Sequence, residues 1–141
     1  MKTRKKALKF LNAAHDGKLN KLKKTAAALG RELEIGIPAV IEHAEVGDGR
    51  HAIHYAASGG RVNVLKYLIE EMKIDIDVKD DSGRTPLSWA ATEERLAAVE
   101  YLLQMGANPE IPDDSKGSPL QCAAAAGKHN TVKVLLDHGA N

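Results

Sequence analysis

Cys122 is the only cysteine in this 141-residue chain. A lone cysteine excludes an intramolecular disulfide and fits a reducing compartment, so a cytoplasmic or nuclear setting is expected. Aromatic residues are nearly as scarce, with only Phe10, Tyr55, Tyr67, Trp89 and Tyr101. A core with so few rings has to be filled by Ala, Leu and Val in thin stacked layers. No apolar run approaches the ~18 residues a membrane span needs, and the basic start lacks the apolar core of a secretory signal. Glycine-rich phosphate loops, cysteine pairs and nucleophile motifs are all missing, so neither catalysis nor a cofactor is expected. His51 and His54 stand three apart but lack a cysteine or an obvious carboxylate partner, and no metal site is expected there.

What the chain does have is charge, unevenly spread. The total is +1, yet residues 1–31 hold ten Lys and Arg against Asp16 alone, and the remainder holds ten against eighteen. The first part is therefore strongly basic (+9) and the rest mildly acidic (−8). Lys2, Arg4, Lys5, Lys6 and Lys9 read first as a solvated cap and second as an electrostatic contact for nucleic acid or an anionic membrane. No aromatic is interleaved with these lysines for base stacking, which counts against nucleic acid.

The most ordered stretch runs from Asp80 to Asn108. Thr85 stands where a helix N-cap belongs, and Pro86 follows at the first helical position, where its missing N–H costs nothing. A short apolar helix, Leu87 to Ala91, breaks near Thr92-Glu93-Glu94. A second helix then sets Leu96, Val99, Leu102 and Leu103 on one stripe, and Gly106 supplies the left-handed residue that ends it. One such unit cannot bury its own apolar face.

Copies of it follow and precede. A shift of 33 residues lays Ser118-Pro119-Leu120-Gln121-Cys122-Ala123-Ala124 on Thr85-Pro86-Leu87-Ser88-Trp89-Ala90-Ala91, and Gly139-Ala140-Asn141 on Gly106-Ala107-Asn108. A shift back by 34 finds His51-Ala52-Ile53-His54-Tyr55-Ala56-Ala57. A period near 33 with a T-P-L-H-x-A core resembles the ankyrin repeat. The resemblance covers residues 46–141, and more weakly the N-terminus. It implies an all-α solenoid of helix-turn-helix units joined by β-turn loops. The units are then 46–79, 80–112 and 113–141, preceded by a degenerate basic repeat and an insertion at 1–45, all in one domain.

Read in order, residues 1–29 are helical, with Ala13-Ala14-His15-Asp16-Gly17-Lys18 matching the helix end and turn at Ala56 to Arg61. From Ala13 to Ala56 the shift is 43 residues where about 33 are expected, so about ten are inserted. Pro38 opens an extra turn of helix within that insertion, which either carries function or covers an exposed edge. One extra residue near Glu71-Met72 makes the first full unit 34 long. Glu94 takes the place of the usual turn glycine, and Lys116 that of the loop glycine, which leaves both turn shapes open. Cys122, in the slot of Tyr55 and Trp89, reads as a packing residue rather than a reactive thiol. Leu120, Ala124, Val132 and Leu135 read as an uncovered last face, which implies further repeats or another domain downstream.

The resemblance also implies where a partner docks: on the loops and the exposed side of the short first helices. Carried over position by position, these are Arg50 and Ser58, then Asp81, Ser82, Arg84, Thr92 and Glu93, then Asp114, Ser115 and Ala125. Trp89 lies near this strip and reads first as core, second as a binding anchor. Arg50 and Arg84 among Asp and Glu favour a protein over a polyanion as partner. A monomeric interaction scaffold is the resulting expectation, with the basic electrostatic adaptor as the alternative. The lysine-rich start, the Ala13-Ala14-x-x-Gly17-Lys18-Leu19-x-x-Leu22-Lys23-Lys24 run and Gly49-x-x-Ala52-Ile53-His54-Tyr55-Ala56-Ala57 are further similar to plant proteins joining an ankyrin array to a tetratricopeptide (TPR) domain. That likeness implies a chaperone-linked partner reached through the downstream domain, not through this chain.

Overall fold

The fold was analysed in a computed structural model that describes residues 2–141. Met1, the first residue of the expected leading helix, lies outside them. The described residues form an all-helical stack without strands, as the repeat pattern predicts. The leading pair is α1 (Lys2–Asp16) and α2 (Leu19–Leu33), followed by α3 (Ile37–His43) in the insertion. Three shorter pairs follow: α4 (Ala52–Ser58) with α5 (Val62–Lys66), α6 (Pro86–Thr92) with α7 (Leu96–Gln104), and α8 (Pro119–Ala125) with α9 (His129–Asp137).

First helices pack on first helices, in the order α1, α4, α6, α8, while α5, α7 and α9 form the opposite layer. The first helices carry paired alanines, and Ala14, Ala56, Ala57, Ala90 and Ala91 are fully buried. Side chains this small let neighbouring helices approach closely, which is how a core can close with so few rings. Phe10 and Leu11 seal the basic end and Leu65, Leu102 and Leu135 fill the space between the layers, all without exposure. The first helices of the three full units are seven residues long, whereas α7 and α9 are nine.

Local signals explain the boundaries. The Thr85 hydroxyl accepts the Ser88 N–H (3.2 Å), and Ser118 accepts the Gln121 N–H (3.3 Å) while the Gln121 side chain returns to the Ser118 N–H (3.0 Å). Lacking such a cap, α4 uses His54, whose Nδ1 accepts the His51 N–H at 3.0 Å. The extra residue of the first full unit sits in a π-helical turn, Tyr67–Glu71, where the Met72 N–H reaches back five residues to Tyr67 (3.0 Å). A π turn absorbs an insertion without shifting the register on either side.

Three expectations are resolved here. Glu94 keeps the turn by adopting φ +56°, the conformation that glycine has at positions 17, 60 and 127. Lys116 does the same in its loop at φ +70°, so that hairpin retains the usual shape. The uncovered last face is corrected in one respect. Leu135 is fully buried because, like Leu102 one unit earlier, it points back into the stack, and the outward residue is Leu136, 53% exposed. Ala124 is exposed, and Leu120 and Val132 are half-buried.

Candidate functional site

The hairpins of the second and third full units are each built around an aspartate, whereas in the first the Glu45 carboxylate accepts the Gly47 and Gly49 N–H groups (2.6 and 3.0 Å). The Asp80 carboxylate accepts the Ser82 and Arg84 N–H groups, both at 2.9 Å, while its own N–H donates to the Arg84 carbonyl (2.9 Å). Asp113 repeats this with Ser115 and Gly117, again at 2.9 Å throughout. These bonds hold the Asp113 carboxyl below the usual range, the Gly117 N–H contributing most. The second oxygen of each aspartate takes a side chain from the following helix. Trp89 Nε1 donates to Asp80 (2.9 Å), and in the equivalent slot the Cys122 thiol faces Asp113 (3.5 Å). Burial, then the adjacent Asp113, push the Cys122 thiol up, as befits a packing cysteine.

Trp89 is therefore neither core nor free. It is half-buried, pinned at its nitrogen, and covered on its ring by two arginines. The Arg84 guanidinium lies 4.3 Å from the ring centroid and that of Arg50 5.1 Å. Arg50 also lies 5.0 Å from the Tyr55 ring and is fixed by Asp48 (2.6 Å). Arg84 donates to the Thr92 hydroxyl and the Ser88 carbonyl, and its Nε is buried with no partner among the described residues. Tyr55, Arg50, Trp89 and Arg84 thus alternate ring and cation across two units, on the side where the hairpins project. Each such contact contributes about 0.5–1 kcal/mol at a partly exposed site.

The predicted residues divide into three groups around this stack. Arg50, Arg84, Trp89 and Thr92 come together in it. Asp81, Ser82, Asp114 and Ser115 are exposed at the hairpin tips, where their backbones join the loops rather than the stack. Ser58 and Glu93 lie at the far ends of α4 and α6, and the Ser58 carbonyl is taken by Arg95 Nε (2.9 Å). Sequence reasoning missed Tyr55 as part of the stack and missed Arg61 and Arg95. Each of these arginines follows a turn and bonds the end of the previous first helix, Arg61 through Nε to the His15 carbonyl (2.9 Å). Their shared place after the turn, 34 residues apart, is the signal that finds them.

His54 is occupied on both sides, by the His51 N–H and, through Nε2–H, by the Val78 carbonyl (2.9 Å). That fixes a neutral tautomer and leaves no lone pair for a metal. Burial drives its pKa down to about 4.

Comparison with known proteins settles the class. A family model described as ankyrin repeats in three copies matches residues 10–113, and a single ankyrin-repeat model matches 117–141. The chain belongs to the ankyrin-repeat family. Among similar curated proteins is human "Ankyrin repeat family A protein 2", 40% identical over 60 residues, which is 43% of this chain and 19% of that protein. Another is the "26S proteasome non-ATPase regulatory subunit 10" of Dictyostelium discoideum, 39% identical over 61 residues, covering 43% and 26% of the two chains. The "Palmitoyltransferase akr1" of Schizosaccharomyces pombe is 37% identical over 57 residues, 40% of this chain but only 9% of that enzyme. In each case the match spans about a quarter or less of the relative, so it bears on the repeats alone. Ankyrin repeats generally mediate protein–protein interaction. No helix among the described residues is long and apolar enough to cross a membrane.

Proposed function

We propose that this array is a non-catalytic interaction module that binds a partner polypeptide along its hairpin tips and first helices, centred on the Tyr55–Arg50–Trp89–Arg84 stack. The observation that carries the reading is Trp89. A large ring held at its nitrogen by Asp80 and flanked by two guanidinium groups is pre-organised, so a partner contacting it loses little side-chain entropy. Trp, Tyr and Arg are also the residue types that dominate binding energy at interfaces. Asp48, Asp81, Asp114 and Glu93 intersperse negative charge along the same strip, which suits a protein of mixed charge and repels a polyanion. On the basic leading helix, two of the five cations are already engaged within the fold, Lys6 by Glu32 and Arg4 by the Val46 carbonyl (3.1 Å).

The test is to identify a partner by affinity capture and measure its binding to Arg50→Ala and Arg84→Ala by calorimetry. Each change should weaken binding by about 1–2 kcal/mol, with helical content retained and the melting temperature lowered only by as much as the lost ring contacts and hydrogen bonds account for. A partner that binds both variants like the parent chain defeats this placement of the site.

A further inference from the structure

Each full unit packs closely on the one before it. The hairpins bond edge to edge, the Asp81 N–H donating to the Asp48 carbonyl (3.1 Å) and the Asp114 N–H to that of Ser82 (3.0 Å). Along the helices, the register that lays Ala13 on Ala56 and Leu22 on Leu65 puts Lys9 in the place of Ala52, Pro86 and Pro119. It puts Lys21 in the place of Val64, Ala98 and Thr131. Every one of those equivalents is buried, while Lys9 and Lys21 are exposed. Positions that the full units bury against a neighbour thus carry lysine in the leading pair. Such a side does not suit another repeat, because each ammonium would be buried without a counter-ion.

The Lys6–Glu32 ion pair marks the seam of this face. It joins the start of α1 to the end of α2, so the two helices lie antiparallel, side by side. Lys2 and Lys9 stand four positions before and three after Lys6. On α2, Ala28 and Lys24 stand four and eight before Glu32, and Lys21 three before Lys24. Those spacings keep each row on the seam side of its helix. Lys2, Lys9, Lys21 and Lys24 are all exposed, and among the described residues none of them is ion-paired. Acids do not offset them. Glu32 is neutralised by Lys6, and Asp16, the sole acid of residues 1–31, lies beside His15 (3.4 Å). A surface shaped only for solubility mixes both signs, and this one does not.

We propose that this two-helix face docks the array on an anionic lipid bilayer, peripherally and by charge alone. Two fifteen-residue helices, each about 22 Å long, lie side by side and present their lysines to a plane rather than to a groove. Lysine is a mobile point charge, suited to a diffuse layer of phosphate and carboxylate headgroups. Each one near such a surface strengthens binding about fivefold. No large apolar side chain stands in these rows, so the contact needs no insertion into the acyl region. A nucleic acid fits less well. Its grooves admit a single helix and its bases stack on aromatic platforms, whereas Phe10, the one Phe, Tyr or Trp of the leading pair, is buried. The face is separate from the tryptophan–arginine stack and does not depend on it.

The test is co-sedimentation of the intact chain with phosphatidylcholine–phosphatidylserine vesicles, set against vesicles of phosphatidylcholine alone. Binding should require phosphatidylserine and fall steeply with added salt. The double variant Lys9→Glu, Lys24→Glu should lower the partition coefficient about tenfold or more. Both side chains are exposed, so circular dichroism melts should match the parent. A second double variant, Lys66→Glu, Lys133→Glu, makes the same change in net charge at exposed positions elsewhere and should stay within about twofold of the parent. Arg84→Ala should bind vesicles unchanged. The proposal is overturned if phosphatidylserine adds nothing, or if the two double variants weaken binding equally, which would make net charge rather than this face responsible. Loss of vesicle binding in Arg84→Ala would move the contact to the inner strip and overturn it too, leaving the protein-partner reading to its own calorimetric test. A short RNA or DNA duplex that strips the chain from vesicles at equal phosphate concentration would reassign the face to nucleic acid and refute the bilayer.

Discussion

Glu94 shows how a repeat tolerates the wrong residue. Its left-handed backbone is the conformation that glycine adopts at no steric cost, whereas a side chain there is crowded against its own carbonyl. The turn survives because the Glu94 and Arg95 N–H groups still reach the carbonyls of Ala91 (3.2 Å) and Ala90 (2.9 Å). Replacing Glu94 with Gly should relieve that crowding, partly offset by the greater freedom of glycine in the unfolded chain. A net gain of about 0.5–1 kcal/mol in urea unfolding is the expected outcome. At this scale the sequence was only half legible. The period located both irregular turn residues, Glu94 and Lys116, but could not say whether the turn would bend to the residue or the residue to the turn. Trp89 was harder still. An apolar slot predicts burial, and the bond from its nitrogen to Asp80 depends on an oxygen that no spacing rule assigns.

At the scale of elements, α4 is tied to the segment ahead of the next hairpin by His54. The ring donates to the Val78 carbonyl and accepts from His51, an arrangement possible only for the neutral form. Its pKa near 4 in the fold lies below the ordinary value of 6.5. The unfolded chain therefore binds the extra proton first, and the contribution of His54 is complete above pH ~6.5 and lost as pH falls toward ~4. The loss is on the order of 3 kcal/mol across that window. Stability measured by denaturant from pH 7 to pH 4 should drop accordingly. In His54→Gln the baseline should be lower and the slope in that window shallower; an unchanged slope would remove His54 from the account. The helix pairs themselves were readable from caps and stripes. The π turn at Tyr67–Glu71 was not, because an extra residue marks where an irregularity must fall without naming the geometry that absorbs it.

The whole molecule is a line of neighbours rather than a ball. Each unit is buried by those on either side, so stability is close to a sum of unit and interface terms. At the basic end, α1 and α2 are fifteen residues each and enclose Phe10, Leu11 and Leu22 completely. At the other end Ala124, Ala125, Ala126 and Leu136 are exposed, and Thr131 has a buried hydroxyl with no partner among the described residues. Local opening should therefore begin with α8 and α9. Native-state hydrogen exchange is expected to show the lowest protection there and the highest in α4 and α6, with the Glu94→Gly gain felt most in α6 and α7. Protection that is uniform along the chain would contradict this view of the stack.

The backbone of Lys116 has a consequence for building with this array. Where Gly49 and Gly83 stand, a Cβ would collide with Asp81 and Asp114 of the succeeding loop, so those two positions work as sockets for the next aspartate. Lys116 fills the third socket. An engineer who wished to lengthen the solenoid by grafting another copy of its central unit onto the last one would first have to empty it, with Lys116→Gly. Without that change, the added loop would be forced away from the edge-to-edge bonding that aligns the others.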